Sequence, residues 1–78
     1  MSQLIAQSLV KDMTDKCAPG STWTRGTHSF KVKYGGRCYP SLPKHKDIEI
    51  GHIRKMIKHL HIDRKCATSK IPALKLSD

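Results

Sequence analysis

The stretch Ser29-Phe30-Lys31-Val32-Lys33-Tyr34-Gly35-Gly36, SFKVKYGG, decides the fold class. Its first six residues alternate strictly. Phe30, Val32 and Tyr34 point one way and Ser29, Lys31 and Lys33 the other, the period of a strand with one buried and one wet face. Gly35-Gly36 supplies the backbone freedom of a hairpin turn, so a second antiparallel strand begins near Arg37. Two registers compete. A two-residue loop places Phe30, Val32 and Tyr34 beside Ser41, Tyr39 and Arg37, whereas a three-residue loop with a glycine bulge places them beside Leu42, Pro40 and Cys38. The second matches apolar with apolar, and a one-residue slip turns a whole face over, so the bulged loop is expected. Lys31, Lys33, Arg37 and Tyr39 then share the wet face. Pro40 has no N–H for a ladder, which makes this an edge strand or puts Pro40 outside its hydrogen-bonded positions.

Working outward, the segment around Trp23 pairs as a first strand, and Gly26 turns the chain into the second. Upstream, Ala6, Leu9, Val10 and Met13 recur at i, i+3, i+4 and i+7, which predicts an amphipathic helix over 3–13 with Ser2 as N-cap. Pro19 and Gly20 in CAPGST, residues 17–22, end it. Downstream, Pro43 closes the third strand and KHKDIEIG leads into a second helix, where Ile53, Met56, Ile57 and Leu60 repeat the stripe with Ile50 one turn earlier. Asp47 and Glu49 near its start and Lys58, His59 and His61 near its end suit the helix dipole. After Ile62 the periodicity stops, and DRKCATSKIPALKLSD, with Pro72, reads as a mobile or partner-binding segment. The expectation is an α+β fold in the order α-β-β-β-α. Two helices cover one face of a three-stranded antiparallel sheet, with a domain over 1–62 and an extension over 63–78.

A chain of 78 residues supports one domain, marginally stable by itself. It has no apolar run of the 18 or so residues that a membrane span needs, and MSQLIAQSLVKDMTDK lacks the charged and apolar regions of a signal peptide. Three cysteines, Cys17, Cys38 and Cys66, are an odd number without close pairing, which reads as free thiols in a reducing cytoplasm. The net charge of +9 is uneven. Residues 1–22 balance Lys11 and Lys16 with Asp12 and Asp15, while residues 23–65 set eleven Lys or Arg against Asp47, Glu49 and Asp63, a balance of +8. Such a field gathers phosphate-bearing polymers or an acidic protein.

Among chemical constellations, metal binding lacks support. His28, His45, His52, His59, His61 and the cysteines show neither C-x2-C nor H-x3-H spacing, and His52 with His59 makes only two ligands on one helix face. No P-loop or dinucleotide fingerprint occurs, so no nucleotide cofactor is expected. The six acids offer no catalytic pair. His28 differs in its surroundings, between Gly26-Thr27 and the basic strand. An imidazole moves protons at neutral pH, and RNA brings its own nucleophile, the 2′-hydroxyl. One histidine with lysines for the phosphate is a minimal ribonuclease site. Gly26 lets the backbone approach a ligand, and nearby amides offer hydrogen bonds to phosphate. On the residues alone catalysis is the lesser reading, and two plainer ones stay open: His28 begins a strand, or touches RNA without chemistry.

RGTHSFKV, CYPSLPKH and KDIEIGHIRKMIKHLHI, in that order, resemble the HicA toxins of HicA–HicB toxin–antitoxin pairs. Gly26, Thr27 and His28 match the family's glycine–Ser/Thr–His opening of the second strand, Pro43 and His45 its strand end, and Asp47-Ile48 with Gly51 to Lys58 its turn and helix. The likeness spans residues 3–62. It implies a double-stranded-RNA-binding-domain-like fold and a metal-independent ribonuclease that cuts messenger RNA in the cytoplasm. It also implies a monomer that a HicB-like antitoxin covers in a hetero-oligomer. The family's catalytic histidine maps onto His28. Many members carry a second histidine directly after it, where this chain has Ser29, and the Cys17–Thr22 loop is longer than usual. On this reading Gly26 and Thr27 position the phosphate, and Lys31, Lys33 and Lys44 bind phosphates. Arg54 and Lys55 extend the basic track or form a solvated helix face, and Trp23 and Phe30 pack in the core. A non-catalytic RNA-binding module of the same shape is the alternative.

Overall fold

The computed structural model describes residues 3–75. A short strand β1 (Leu4–Ala6) leads into helix α1 (Gln7–Cys17), followed by strands β2 (Thr22–Arg25), β3 (Ser29–Tyr34) and β4 (Arg37–Pro43). Strand β5 (Asp47–Glu49) runs into helix α2 (Ile50–Leu60). Helix α3 (Arg64–Lys70) and a 3-10 turn (Pro72–Leu74) follow. Strands β2, β3 and β4 form one antiparallel sheet in that order, so the chain is an α+β fold built on a three-stranded sheet. Val32, Tyr39 and Leu42 face inward, where Val10 and Met13 of α1 and Ile53, Met56, Ile57 and Leu60 of α2 cover them. Each such side chain contributes about 1.5–3 kcal/mol on burial. Trp23 and Phe30, half-buried, meet edge to face at 5.2 Å against this core. The Trp23 indole Nε1 donates to Thr14 Oγ1 at 3.1 Å, which fixes α1 over β2.

The hairpin register differs from both expected ones. Gly35 (φ 58°) and Gly36 (φ 79°) form a two-residue loop, with Tyr34 opposite Arg37 and Val32 opposite Tyr39. The extra residue enters further along, where the register shifts so that Phe30 meets Leu42. A bulge at Pro40-Ser41 disrupts the ladder least, because Pro40 has no N–H to lose. The Ser29 hydroxyl seals it by donating to the Pro40 carbonyl at 2.6 Å. β4 is an edge strand, as Pro40 predicts. Tyr39 therefore leaves the wet face for the core, its ring 5.9 Å from that of His59 on α2. Arg37 goes with it to the α2 side, and Lys31 and Lys33 remain exposed.

The expected first helix begins later than predicted, and Ser2 lies outside the described residues. Leu4–Ala6 pairs with β5, Ile5 opposite Ile48, and both isoleucines are buried. The backbone is stitched at either side, Gln7 N–H to Lys46 O and Ile50 N–H to Gln3 O. The helix stripe accordingly rotates to Val10, Met13, Thr14 and Cys17, leaving Leu9 exposed. The partner strand lies some forty residues away in sequence, so local periodicity carried no sign of it.

Two further expectations are corrected. Cys17 and Cys66 form a disulfide, with Cα atoms 5.6 Å apart, joining α1 to α3, and only Cys38 is free. The free-thiol argument for a reducing compartment therefore loses two of its three cysteines. The segment after Ile62 forms a helix and a 3-10 turn packed on the core over residues 63–75. Asp63 caps α3 by accepting from the Lys65 and Cys66 amides, and Ala67, Ile71 and Leu74, spaced i, i+4 and i+7, belong to the same core as residues before 62. Arg54 Nε donates to the Leu74 carbonyl at 3.2 Å, so this guanidinium ties α2 to the C-terminal turn. No helix among the described residues is long and apolar enough to cross a membrane. Leu74→Ala is expected to cost about 2–5 kcal/mol through a lost transfer term and a cavity. Urea unfolding checks this, since loss of an unpacked tail residue leaves the midpoint unchanged.

Candidate functional site

At one end of the sheet, β2 returns into β3 through Thr27-His28, a two-residue loop closed by the Gly26 N–H donating to the Ser29 carbonyl at 2.9 Å. Gly26 has a steric reason to be glycine. A Cβ there would stand 2.7 Å from the Ser29 carbonyl oxygen, closer than side-chain carbons come to backbone. The close approach that Gly26 permits is thus between two strands of this chain, and its amide is already committed. Gly26 therefore shapes the loop, and its own N–H is spent within it. Gly26→Ala is expected to destabilise the protein by about 1–3 kcal/mol, since the loop must open to admit the methyl group. Thermal unfolding measures that loss, and an unchanged melting temperature would contradict the close contact.

Lys44, just past β4, reaches back over this loop. Its Nζ donates to the Gly26 carbonyl at 2.9 Å and the Thr27 carbonyl at 3.4 Å. The ammonium therefore pins the loop from the neighbouring strand while keeping a third N–H and its full charge beside it. Thr27 and His28 are exposed. No hydrogen bond, ion pair or ring contact engages the His28 imidazole among the described residues, so both ring nitrogens are open to a ligand.

The structure thus brings together Gly26, Thr27, His28 and Lys44, which come from two segments sixteen or more positions apart. Lys31 and Lys33 are set along β3 instead, opposite Thr24 and Thr22 of β2. At about 3.3 Å per residue Lys33 lies roughly 17 Å from the loop, so it extends a basic strip rather than joining the cluster. Ser29, where a histidine stands in many HicA proteins, is committed to the bulge through Pro40. That tie was not visible in sequence, because it depends on the register shift. Arg54 and Lys55 are both exposed; Arg54 spends its Nε–H on the Leu74 carbonyl, and Lys55 lines a cleft with β4.

These features define a small α+β domain whose sheet carries exposed lysines and, at one end, a lysine-braced loop presenting an unengaged imidazole. No protein family, no curated protein and no solved structure matches the chain.

Proposed function

We propose that the chain is a HicA-like toxin: a metal-independent endoribonuclease of double-stranded-RNA-binding-domain-like fold that cuts messenger RNA in the cytoplasm. The observation that carries this reading is the His28 imidazole, unengaged at the tip of a loop that Lys44 holds from the next strand. In the reaction the RNA 2′-oxygen attacks its own 3′-phosphorus, forming a 2′,3′-cyclic phosphate and breaking the bond to the 5′-oxygen. His28 takes the 2′-hydroxyl proton or delivers one to the departing oxygen. The nucleophile belongs to the substrate, so one proton-transfer group beside a cationic anchor suffices. Lys44 stabilises the charge growing on the phosphoryl oxygens, Gly26 and Thr27 position the phosphate, the latter with its exposed hydroxyl, and Lys31 and Lys33 hold flanking phosphates. A HicB-like antitoxin, bound to the monomer in a hetero-oligomer, would cover this end of the sheet.

Incubating purified protein with RNA in EDTA tests the reading. Fragments ending in 2′,3′-cyclic phosphate are expected. RNA that is bound but stays intact favours the non-catalytic RNA-binding module. That second reading draws on one observation: among the described residues no second acid or base is paired with His28. Shape-reading of A-form RNA needs basic side chains and no proton transfer.

A further inference from the structure

At the opposite end of β4 from Lys44, the sheet edge and α2 flank an open, shallow cleft of about 570 Å³ lined by Arg37, Cys38 and Tyr39 of β4 with Lys55, Lys58, His59 and His61. Lys55, Lys58 and His59 stand at i, i+3 and i+4 on α2 and so share one face. Arg37 reaches the same space from β4, and His61 enters from the left-handed residue that ends α2 (φ 57°). No carboxylate lines this cleft, and none of Arg37, Lys55 and Lys58 makes a salt bridge among the described residues. Burial pushes the Tyr39 hydroxyl up from its ordinary pKa. A solvated helix face accounts for Lys55 and Lys58 on their own. It does not account for a guanidinium converging on them from a different element, with no acid among the described residues to relieve the repulsion.

We propose that this cleft is a second RNA-anchoring site, which takes phosphodiester groups of the strand whose other part lies at His28. The inference rests on the proposed RNA-cleaving role and adds to it a requirement on substrate length. Three cations converging in one concavity create a local potential that a phosphate relieves, and the arginine fork suits phosphate oxygens. The exposed His59 ring, braced edge-on by Tyr39, adds a surface on which a base can stack. The seven residues of β4 separate the cleft from the Lys44-braced loop by about 20 Å at 3.3 Å per residue. A single strand must therefore run over several consecutive nucleotides to reach from one site to the other.

The test compares wild-type protein with the R37Q/K55Q/K58Q triple variant, whose replaced residues are all exposed. A K11Q/K16Q/K75Q control loses the same formal charge elsewhere. Fluorescence anisotropy of labelled oligoribonucleotides of four and ten nucleotides, titrated across salt concentration, is the readout. The wild-type protein and the control are expected to bind the ten-mer more tightly than the four-mer. The cleft variant should lose that length advantage, and its salt slope should fall by about 2, at roughly 0.7 for each phosphate contact on a single strand. A cleft variant with an unchanged slope and length dependence overturns the anchoring proposal while leaving the His28 reading intact, and so does equal loss in the control. If the cleft variant keeps its RNA slope but loses binding to poly-glutamate, the cleft is a protein-docking surface and the proposal falls. Wild-type protein that binds neither oligomer at low salt overturns both readings.

Discussion

His28→Ala is expected to lower the rate of RNA cleavage about 10²- to 10⁴-fold, the range contributed by a positioned acid–base group, and to leave stability unchanged. The two halves of this expectation come from the same observation. The imidazole is exposed and bonded to nothing among the described residues, so its removal opens no cavity and strands no buried partner. Exposed changes of this kind fall within about ±0.5 kcal/mol. The Gly26–Ser29 closure and the two Lys44 bonds use main-chain carbonyls and amides, so they survive the substitution. RNA binding should also persist, because the cations remain. The decisive measurement is a cleavage time course in EDTA beside a thermal melt of the same sample. A variant that melts normally and still cleaves at the wild-type rate removes His28 from the mechanism. A variant that loses both cleavage and binding would mean that His28 recognises RNA rather than transfers a proton.

Opening the Cys17–Cys66 disulfide is expected to cost about 4 kcal/mol, the chain-entropy value for a closed loop of about fifty residues. The half-cystines are 49 positions apart, so the bond ties the end of α1 to α3 across most of the chain. A domain of this size has a total stability of order 0.05–0.15 kcal/mol per residue, and a loss of that magnitude removes a large share of it. C17S/C66S, or wild-type protein in reductant, should unfold at markedly lower urea, whereas Cys38→Ser should not. If reductant leaves the midpoint in place, the bond contributes nothing. The result bears on where the protein works, since cytosolic thiols are kept reduced. With the bond open, α3 is held by Ala67, Ile71 and Leu74 in the core and by the Arg54 bond to the Leu74 carbonyl. The proposed cytoplasmic activity then depends on that packing being sufficient without the bond. The reduced protein is therefore also the right sample for the cleavage assay.

What could be read before the structure follows from how local each signal was. The α2 stripe Ile53, Met56, Ile57 and Leu60 is buried as its spacing predicts, and Ile50 joins it. β3 alternates as written, and the paired glycines turn it. These signals lie within one element, where period alone says which side is apolar. Apart from the C-terminal segment, whose stripe Ala67, Ile71 and Leu74 was local but broken by Pro72, the misreadings involve a distant partner. Leu4–Ala6 looked helical until β5 stood beside it, and the ladder placed the extra residue at Pro40 rather than in the turn. Cys17 and Cys66 showed no close pairing in sequence, and only the packing of α3 on α1 brings them together.

The candidate site divides in the same way. The sequence by itself marked His28 as a residue of interest beside a basic strand, and the resemblance to HicA toxins, not its neighbours, singled it out for proton transfer. It also named Lys44, but as a phosphate ligand. Only the tertiary structure decided that Lys44 braces the loop, that Gly26 is needed to let Ser29 approach, and that Ser29 belongs to the bulge. Only the tertiary structure brought Arg37 round to Lys55 and Lys58. The physical reason is common to all of these. A side chain's chemistry is a property of one residue, but whether its polar atoms are spent on the fold or left for a ligand is settled by contacts between residues far apart in the chain.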